Sequence, residues 1–316
     1  MISVKRNSSL LMRKAYDAII CCAGYETRAR YAISTLSPAA KYKVVLVFEG
    51  DKSDNLVTNR EFFETAGYRL IPAVPSQIDI VLKDVVQNVN ALQKDDLSLC
   101  VDISSMNRKL IAQAVYSAAE VADQVGRSLT VDFLYSLAEY SDPGAPGRPI
   151  CHRGPVIPEF AGWSDQPGDP CVAIVGIGYE ADLALGTIEE LEASEIWAFR
   201  PTGHDPRYDI AIDEANKGLF DLIPSGHIFK YSITEIFELF LHLESLVAGT
   251  LQSERPVLIP LGLKMFALCS FFVALQHFPN VAVWRVSAGQ FAEPVDRIPS
   301  GAIQVITGHF SSRSSR

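Results

Sequence analysis

Short apolar runs alternate with longer segments in which apolar residues recur at helical spacing. In the first half of the chain the runs predict strands near residues 17–23, 43–48, 68–73, 97–102 and 129–136. The intervening segments predict helices near residues 27–37, 57–66, 77–93 and 107–125. This alternation is typical of β-α-β units around a parallel sheet. With right-handed crossovers and the common strand order 3-2-1-4-5, the first and fourth strands lie side by side at the switch point.

The pattern then returns in the second half of the chain. Gly24-Tyr25-Glu26 follows the first predicted strand, and Gly178-Tyr179-Glu180 follows the apolar run 172–177, 154 positions later (178 − 24). Arg108 opens the helix after the fourth strand, and Lys264 is its counterpart, 156 positions later (264 − 108). Self-similarity at a nearly fixed offset indicates a repeated structural unit.

We therefore expect an α/β protein made of two tandem, doubly wound Rossmann-like parallel-sheet units related by internal duplication. The expected units span residues 1–140 and 170–300, joined by a linker at 141–169 that is rich in Pro, Gly and Asp. Residues 301–316 are expected to be a C-terminal extension with a disordered tail from Phe310 onward.

Composition narrows the class of protein. The 316 residues, 48% of them hydrophobic and 21% charged, fit a folded soluble protein of two domains or one large one. A net charge of −9 argues against a broad nucleic-acid-binding surface. The six cysteines lack metal-finger spacing and are expected to be buried thiols in a reducing cytoplasm. We expect no secretion signal, because residues 1–14 contain no apolar stretch that ends in a cleavage site. We also expect no membrane segment, because Pro260 and Lys264 interrupt the most apolar stretch, 257–278.

The first turn is a candidate ligand site in both halves. Open α/β sheets bind ligands at the carboxyl ends of the strands beside the switch point. A glycine there permits close approach of the backbone to a ligand. The candidate residues are Gly24, Tyr25, Glu26 and Arg28 in the first unit and Gly178, Tyr179 and Glu180 in the second. In the alternative interpretation, Glu26 only complements the helix dipole and Arg28 is a solvated first-turn residue.

The fourth turn carries the richest polar chemistry in the sequence. Hydroxyls, a carboxylate and a cation meet at a predicted helix N-terminus, where unsatisfied backbone N–H groups attract phosphate or ribose. The residues are Asp102, Ser104, Ser105, Asn107 and Arg108. The alternative is that Asp102 or Ser105 simply caps the helix. The second copy keeps only Gly262 and Lys264 as candidates, so the first unit is expected to have the richer site.

Two further interpretations concern neighbouring loops. Glu26, Asp102 and Glu49 could converge on a divalent metal, which prefers oxygen ligands, although we expect no zinc site because no Cys/His cluster exists. The loop 199–208 contains two arginines, His204 and Tyr208, and lies where ribose or base is often bound. It could equally be a polar surface loop.

The architecture and the two turns together resemble the CARF (CRISPR-associated Rossmann fold) and related ligand-sensing domains of prokaryotic antiviral systems. The resemblance rests on an Asp-x-Ser-Ser-x-x-Arg turn (102–108) and a Pro-x-Gly-x-Lys turn (260–264), each opening the helix after a fourth strand. It implies binding of cyclic oligonucleotides or other nucleotide signals. It assigns this binding to Glu26, Arg28, Ser104, Ser105 and Arg108, and in the second copy to Glu180, Gly262 and Lys264.

Three functions stay open from the sequence. The first is a nucleotide sensor or regulatory component of a defence system, acting through a protein partner, with a homodimer also possible. The second is a nucleotide-processing enzyme that uses Glu26 and Asp102 in phosphodiester or glycosidic-bond cleavage, as in Rossmann-like deoxyribosyltransferase and TIR families. The third is an adaptor made of two degenerate Rossmann-like units that binds another protein. Doubly wound sheets host many chemistries, so the fold alone does not choose between them.

Overall fold

The computed structural model of the chain describes residues 2–5, 13–49, 53–90, 96–142, 150–164, 166–180, 183–203, 205–287 and 295–312. The chain divides into two compact units. The first contains residues up to Glu139 together with the segment from Pro294 onward, and the second runs from Tyr140 to Glu293. Both units are α/β, as expected.

The elements of the first half follow the predicted alternation. The strands are β1 (Ile2–Lys5), β2 (Ala15–Ala23), β3 (Ala39–Val47), β4 (Arg69–Pro72), β5 (Asp96–Asp102) and β6 (Ser128–Ala138). The helices are α1 (Tyr31–Leu36), preceded by a 3-10 turn over Thr27–Arg30, α2 (Asp54–Thr65), α3 (Pro75–Asn90) and α4 (Arg108–Val125).

The second half begins with an extra strand and then repeats the alternation. Its strands are β7 (His152–Pro155), β8 (Cys171–Gly176), β9 (Glu195–Thr202), β10 (Ile228–Ser232), β11 (Arg255–Pro260) and β12 (Ala282–Ser287). Its helices are α5 (Leu183–Leu191), α6 (Pro206–Ala215), α7 (Lys217–Leu222), α8 (Ile236–Thr250) and α9 (Lys264–Gln276). The chain then forms a long strand, β13 (Pro299–Phe310).

The two sheets have the same strand order over their five core strands. The first sheet runs β4-β3-β2-β5-β6-β13-β1 and the second runs β10-β9-β8-β11-β12-β7. The five core strands of each unit are parallel and follow the predicted order 3-2-1-4-5. The switch points therefore lie between β2 and β5 and between β8 and β11. This shared order agrees with the predicted duplication, which remains a prediction.

The sheets are mixed rather than purely parallel, and this changes the expected boundaries. β13 pairs antiparallel with β6, and β1 pairs antiparallel with β13. The expected C-terminal extension is thus largely a strand of the first unit, in which Phe310 is fully buried. The last residues of the expected tail, 313–316, lie outside the described residues.

The expected linker is likewise part of a folded unit. β7 lies within residues 141–169 and pairs antiparallel with β12. Phe160 follows β7 in a 3-10 turn and is fully buried, stacked on Phe271 of α9 at 5.7 Å between ring centroids. Sequence composition missed this segment because its proline and glycine residues, which usually mark loops, here flank a very short edge strand.

Burial explains why the central strands form. From Tyr16 to Ala23 every residue of β2 is buried, as expected for a strand covered on both faces by helices. Four of the six cysteines are buried, Cys171 is partly buried and Cys151 is exposed, so the expectation of six buried thiols is wrong for these two. Burial raises the pKa of the Cys21 and Cys100 thiols, which keeps them protonated.

Among the described residues, no helix is both long and apolar enough to cross a bilayer.

Candidate functional site

The first and fourth turns of the first unit lie against each other, as the strand order predicted. β2 and β5 are parallel neighbours, with Ile20 in register with Val101. Beyond their carboxyl ends, a β carbon built on Gly24 would overlap the Ser105 hydroxyl and lie 3.4 Å from Ser105 Cβ. Only glycine fits at this position without a shift of Ser105. This contact explains why the turn begins with glycine at position 24.

The second unit has the same close approach between its first and fourth turns. A β carbon on Gly178 would lie 3.3 Å from Gly262 Cα, and one on Gly262 would overlap the Ile177 carbonyl oxygen. The Gly262 N–H donates to the Gly176 carbonyl at 2.8 Å, which fastens the fourth turn to the end of β8. Local packing therefore requires glycine at position 262, whereas a side chain at position 178 would make a tight contact with the fourth turn.

A buried asparagine holds the first turn of the first unit and was not singled out from the sequence. Asn59 on α2 is fully buried, and its Nδ2 donates to the carbonyls of Gly24 at 2.7 Å and Glu26 at 2.9 Å. Its Oδ1 accepts from Arg30 Nη1 at 2.9 Å. The amide thus satisfies two turn carbonyls that α2 would otherwise shield from water.

Asn216 makes the matching bond in the second unit. This residue lies between α6 and α7, and its Nδ2 donates to the Gly178 carbonyl at 2.7 Å and to the Ile212 carbonyl at 2.8 Å. The sequence does carry a signal for this pair. Asn-Arg-Glu-Phe-Phe at 59–63 returns as Asn-Lys-Gly-Leu-Phe at 216–220, 157 positions later (216 − 59). Aligning the helix after the second strand in each half would have found it.

Glu26 and Arg28 are bonded to each other. Arg28 Nε donates to Glu26 Oε2 at 2.8 Å and Nη2 to Oε1 at 3.3 Å. Arg28 Nη1 donates to the Tyr135 hydroxyl and to the Ser136 carbonyl, both at 3.0 Å. Burial alone lowers the pKa of Arg28, but Tyr135 and Glu26 outweigh it and raise that pKa above its ordinary value. Arg28 is buried and ties the first turn to β6, so the interpretation of a solvated residue is wrong.

The polar residues of the fourth turn also have internal roles. Asp102 Oδ1 accepts from the Ser104 backbone N–H at 2.9 Å, and Ser104 Oγ accepts from the Ser136 N–H at 2.8 Å. Both residues are buried. Asn107 caps α4 by accepting from the Leu110 N–H at 3.0 Å. The cap is therefore Asn107, rather than the Asp102 or Ser105 of the alternative interpretation.

Residues 295–298, which we call the C-terminal strap, bind the first turn of the first unit. The Asp296 carboxylate accepts from the Thr27 N–H and from Thr27 Oγ1, each at 2.7 Å. The Arg28 N–H donates to the Arg297 carbonyl at 3.1 Å. The Ile298 carbonyl in turn accepts from the Glu139 N–H at 2.9 Å. A carboxylate of the protein itself thus occupies backbone N–H and hydroxyl donors at the start of the 3-10 turn.

The remaining candidates of the second unit are more open to solvent. Glu180 is exposed and Tyr179 is partly buried, with its ring centroid 5.7 Å from that of Tyr208. Lys264 is the first residue of α9 and is partly buried, as Arg108 is at the start of α4. The expectation that the first unit has the richer site stays a prediction; the polar groups of that unit described above bond largely to one another.

The 199–208 loop divides into a structural and an exposed part. Arg200 is buried and pairs with Asp213 at 2.7 Å and Asp209 at 3.2 Å, which fixes α6 against β9. Arg207, by contrast, has a side chain that is 64% exposed and pairs with Asp205 at 2.6 Å. His204 lies outside the described residues.

Metal ligands do not converge where the sequence allowed for them. Glu26 is bonded to Arg28, and within the described parts of the chain no group of three His, Cys, Asp or Glu side chains could hold a metal ion.

No family model matches the sequence, and no curated protein matches it either.

Proposed function

We propose that this protein binds a small nucleotide ligand at the carboxyl ends of its parallel sheets and serves as a sensor or regulatory component of a prokaryotic defence system, acting through a protein partner. The observation that carries the proposal is the approach of the first turn to the fourth turn in each unit, at Gly24 and Ser105 and at Gly178 and Gly262. Ligands of open α/β sheets bind in the crevice at this point.

The helices that follow the fourth turns favour an anionic ligand. Helices α4, of 18 residues, and α9, of 13 residues, both begin at a basic residue, Arg108 and Lys264. The N–H groups at a helix start and a nearby cation attract phosphate. A nucleotide supplies phosphate for these groups and a ribose for the neighbouring backbone.

Binding is better supported than turnover. Both oxygens of Glu26 accept hydrogen bonds from the Arg28 guanidinium, so this carboxylate has a structural role in holding Arg28 at the first turn. Asp102 holds the Ser104 N–H within the fourth turn, which is a structural use of that carboxylate. Both groups that the enzyme alternative requires are thus engaged in holding the turns.

A thermal-shift screen of the full chain against mono-, di- and cyclic oligonucleotides, NAD and divalent metals tests the proposal, followed by mass spectrometry of each mixture. A ligand at a hundredfold excess over its Kd stabilises the folded state by about 2.7 kcal/mol. The proposal predicts a shift with one nucleotide that is recovered intact. A shift with cleaved ligand would support the enzyme alternative, and no shift with any compound would favour the adaptor.

A further inference from the structure

Three tyrosines of the second unit form a continuous row of rings at its ligand-binding end. The centroid of Tyr208 lies 5.7 Å from that of Tyr179 and 4.9 Å from that of Tyr140, the first residue of this unit. All three tyrosines are partly buried residues, so none of them is enclosed in the core.

Arg207 extends the row with a fourth planar group. Its guanidinium carbon lies 4.5 Å from the centroid of the Tyr140 ring, within the range of a cation–π contact. Asp205 fixes the guanidinium there, since Arg207 Nη2 donates to its Oδ2 at 2.6 Å and Nε to its Oδ1 at 3.0 Å. These bonds lower the pKa of Asp205, which keeps the carboxylate charged.

The row belongs to the switch-point end of the sheet. Tyr179 lies in the first turn, directly after Gly178, whose carbonyl is held by Asn216. Tyr208 lies in the first turn of α6, the helix that follows β9, and β9 is the parallel neighbour of β8. Two successive crossovers therefore bring these two tyrosines to the edge where ligands of this fold bind.

We propose that Tyr179, Tyr208 and Tyr140 with Arg207 form the surface that binds the heteroaromatic base of the ligand. The inference rests on the proposed function and assigns the base to the second unit. Every nucleobase has a π-face, and stacking on aromatic side chains tolerates different bases. Rings packed only to fill a core would be enclosed, whereas these are partly exposed and end in a cation that is 64% exposed.

Paired substitutions of Tyr208 in the full chain separate stacking from packing. Tyr208→Leu removes the ring and keeps an apolar side chain, and Tyr208→Phe keeps the ring. Isothermal titration calorimetry would compare AMP, GMP, cyclic di-AMP and cyclic tetra-adenylate with ribose 5-phosphate, which has no base. Urea midpoints of each variant verify folding, and Tyr179→Leu with Tyr179→Phe provides a second pair.

The inference predicts that the leucine variants lose about tenfold or more in affinity for the base-bearing probes, while the phenylalanine variants bind as the wild type does. Binding of ribose 5-phosphate should be the same in all variants. Equal affinity of the leucine and phenylalanine variants for the base-bearing probes would overturn the stacking surface and leave the proposed function standing. If no nucleotide binds the wild type, the proposed function fails and the inference with it.

Discussion

Gly24 and Ser105 lie so close together that a β carbon on the glycine would overlap the serine hydroxyl. They are separated by 81 positions (105 − 24) and meet because β2 and β5 are neighbouring parallel strands. Gly178 and Gly262 repeat the relationship at the other switch point. In each unit the first and fourth turns are therefore in close contact at the carboxyl ends of neighbouring parallel strands.

This contact predicts a strong coupling between the two residues. Gly24→Ala should destabilise the chain by about 1 kcal/mol, the lower end of the cost of overpacking, because the clash is with the Ser105 hydroxyl and not with backbone atoms. Ser105→Ala removes the hydroxyl and leaves an ordinary 3.4 Å contact with the new methyl group, so the double variant should recover most of the loss. Urea unfolding of the four proteins measures the coupling, and additive effects would contradict it.

The buried asparagines predict a second effect on stability. Asn59→Leu leaves the Gly24 and Glu26 carbonyls without their buried donor, and an unsatisfied buried group costs about 1–3 kcal/mol. Asn216→Leu should cost less, because only one of its two bonds reaches the first turn.

Urea midpoints of the asparagine variants can be compared with those of Gln87→Leu, which makes the same change from amide to leucine at an exposed position of α3. This control should stay within about 0.5 kcal/mol of the wild type. Losses of similar size in all three variants would mean that the asparagines do not hold the turns.

The sequence was sufficient to predict the five parallel core strands of the first unit, and the repeated turns indicated a second unit of the same kind. The order 3-2-1-4-5 was expected because it is the common one for doubly wound sheets. Strand and helix periods are local signals, and the handedness of crossovers restricts the topology. β13 and β7 could not be assigned in this way, because both lie outside the β-α-β alternation and pair antiparallel with strands that are distant in the sequence. The same holds for Arg28, whose local sequence resembles an exposed first turn but whose partners, Tyr135 and Ser136, are more than 100 positions away.

The buried carboxylate of Asp132 helps to hold β13 in the first sheet. Asp132 on β6 accepts from the Tyr16 hydroxyl at 2.8 Å and from Thr307 Oγ1 of β13 at 2.5 Å. Asp132→Asn should destabilise the chain by about 1–3 kcal/mol, since bonds to a charged acceptor are the stronger ones. Amide hydrogen exchange of β13 should rise in this variant. Asp84→Asn, at a half-exposed position on α3 whose carboxylate faces Arg69 of β4, is the control and should leave the exchange of β13 unchanged.

The strap predicts a dependence of stability on pH. Partial burial raises the pKa of Asp296, but hydrogen bonds from Thr27 outweigh it and the pKa is lowered from 3.8. A carboxylate with a depressed pKa in the folded state stabilises the fold above its unfolded pKa, and this contribution is lost as the pH falls through the folded pKa. Asp296→Asn should therefore be less stable than the wild type at pH 7, and the difference should shrink below about pH 4. A difference in urea midpoint that stays constant from pH 7 to pH 3 would argue against this role.

The most direct test of nucleotide binding at the sheet ends reverses the charge at both helix starts. Isothermal titration calorimetry would measure the affinity of three proteins for the nucleotide that gives the largest thermal shift. The proteins are the wild type, the Arg108→Glu/Lys264→Glu double variant and, as a control at an exposed lysine of α3, Lys83→Glu. The account predicts saturable binding to the wild type and the control, weakened at least tenfold in the double variant, which corresponds to about 1.4 kcal/mol. Equal affinity in all three proteins, or no binding to the wild type, would contradict it.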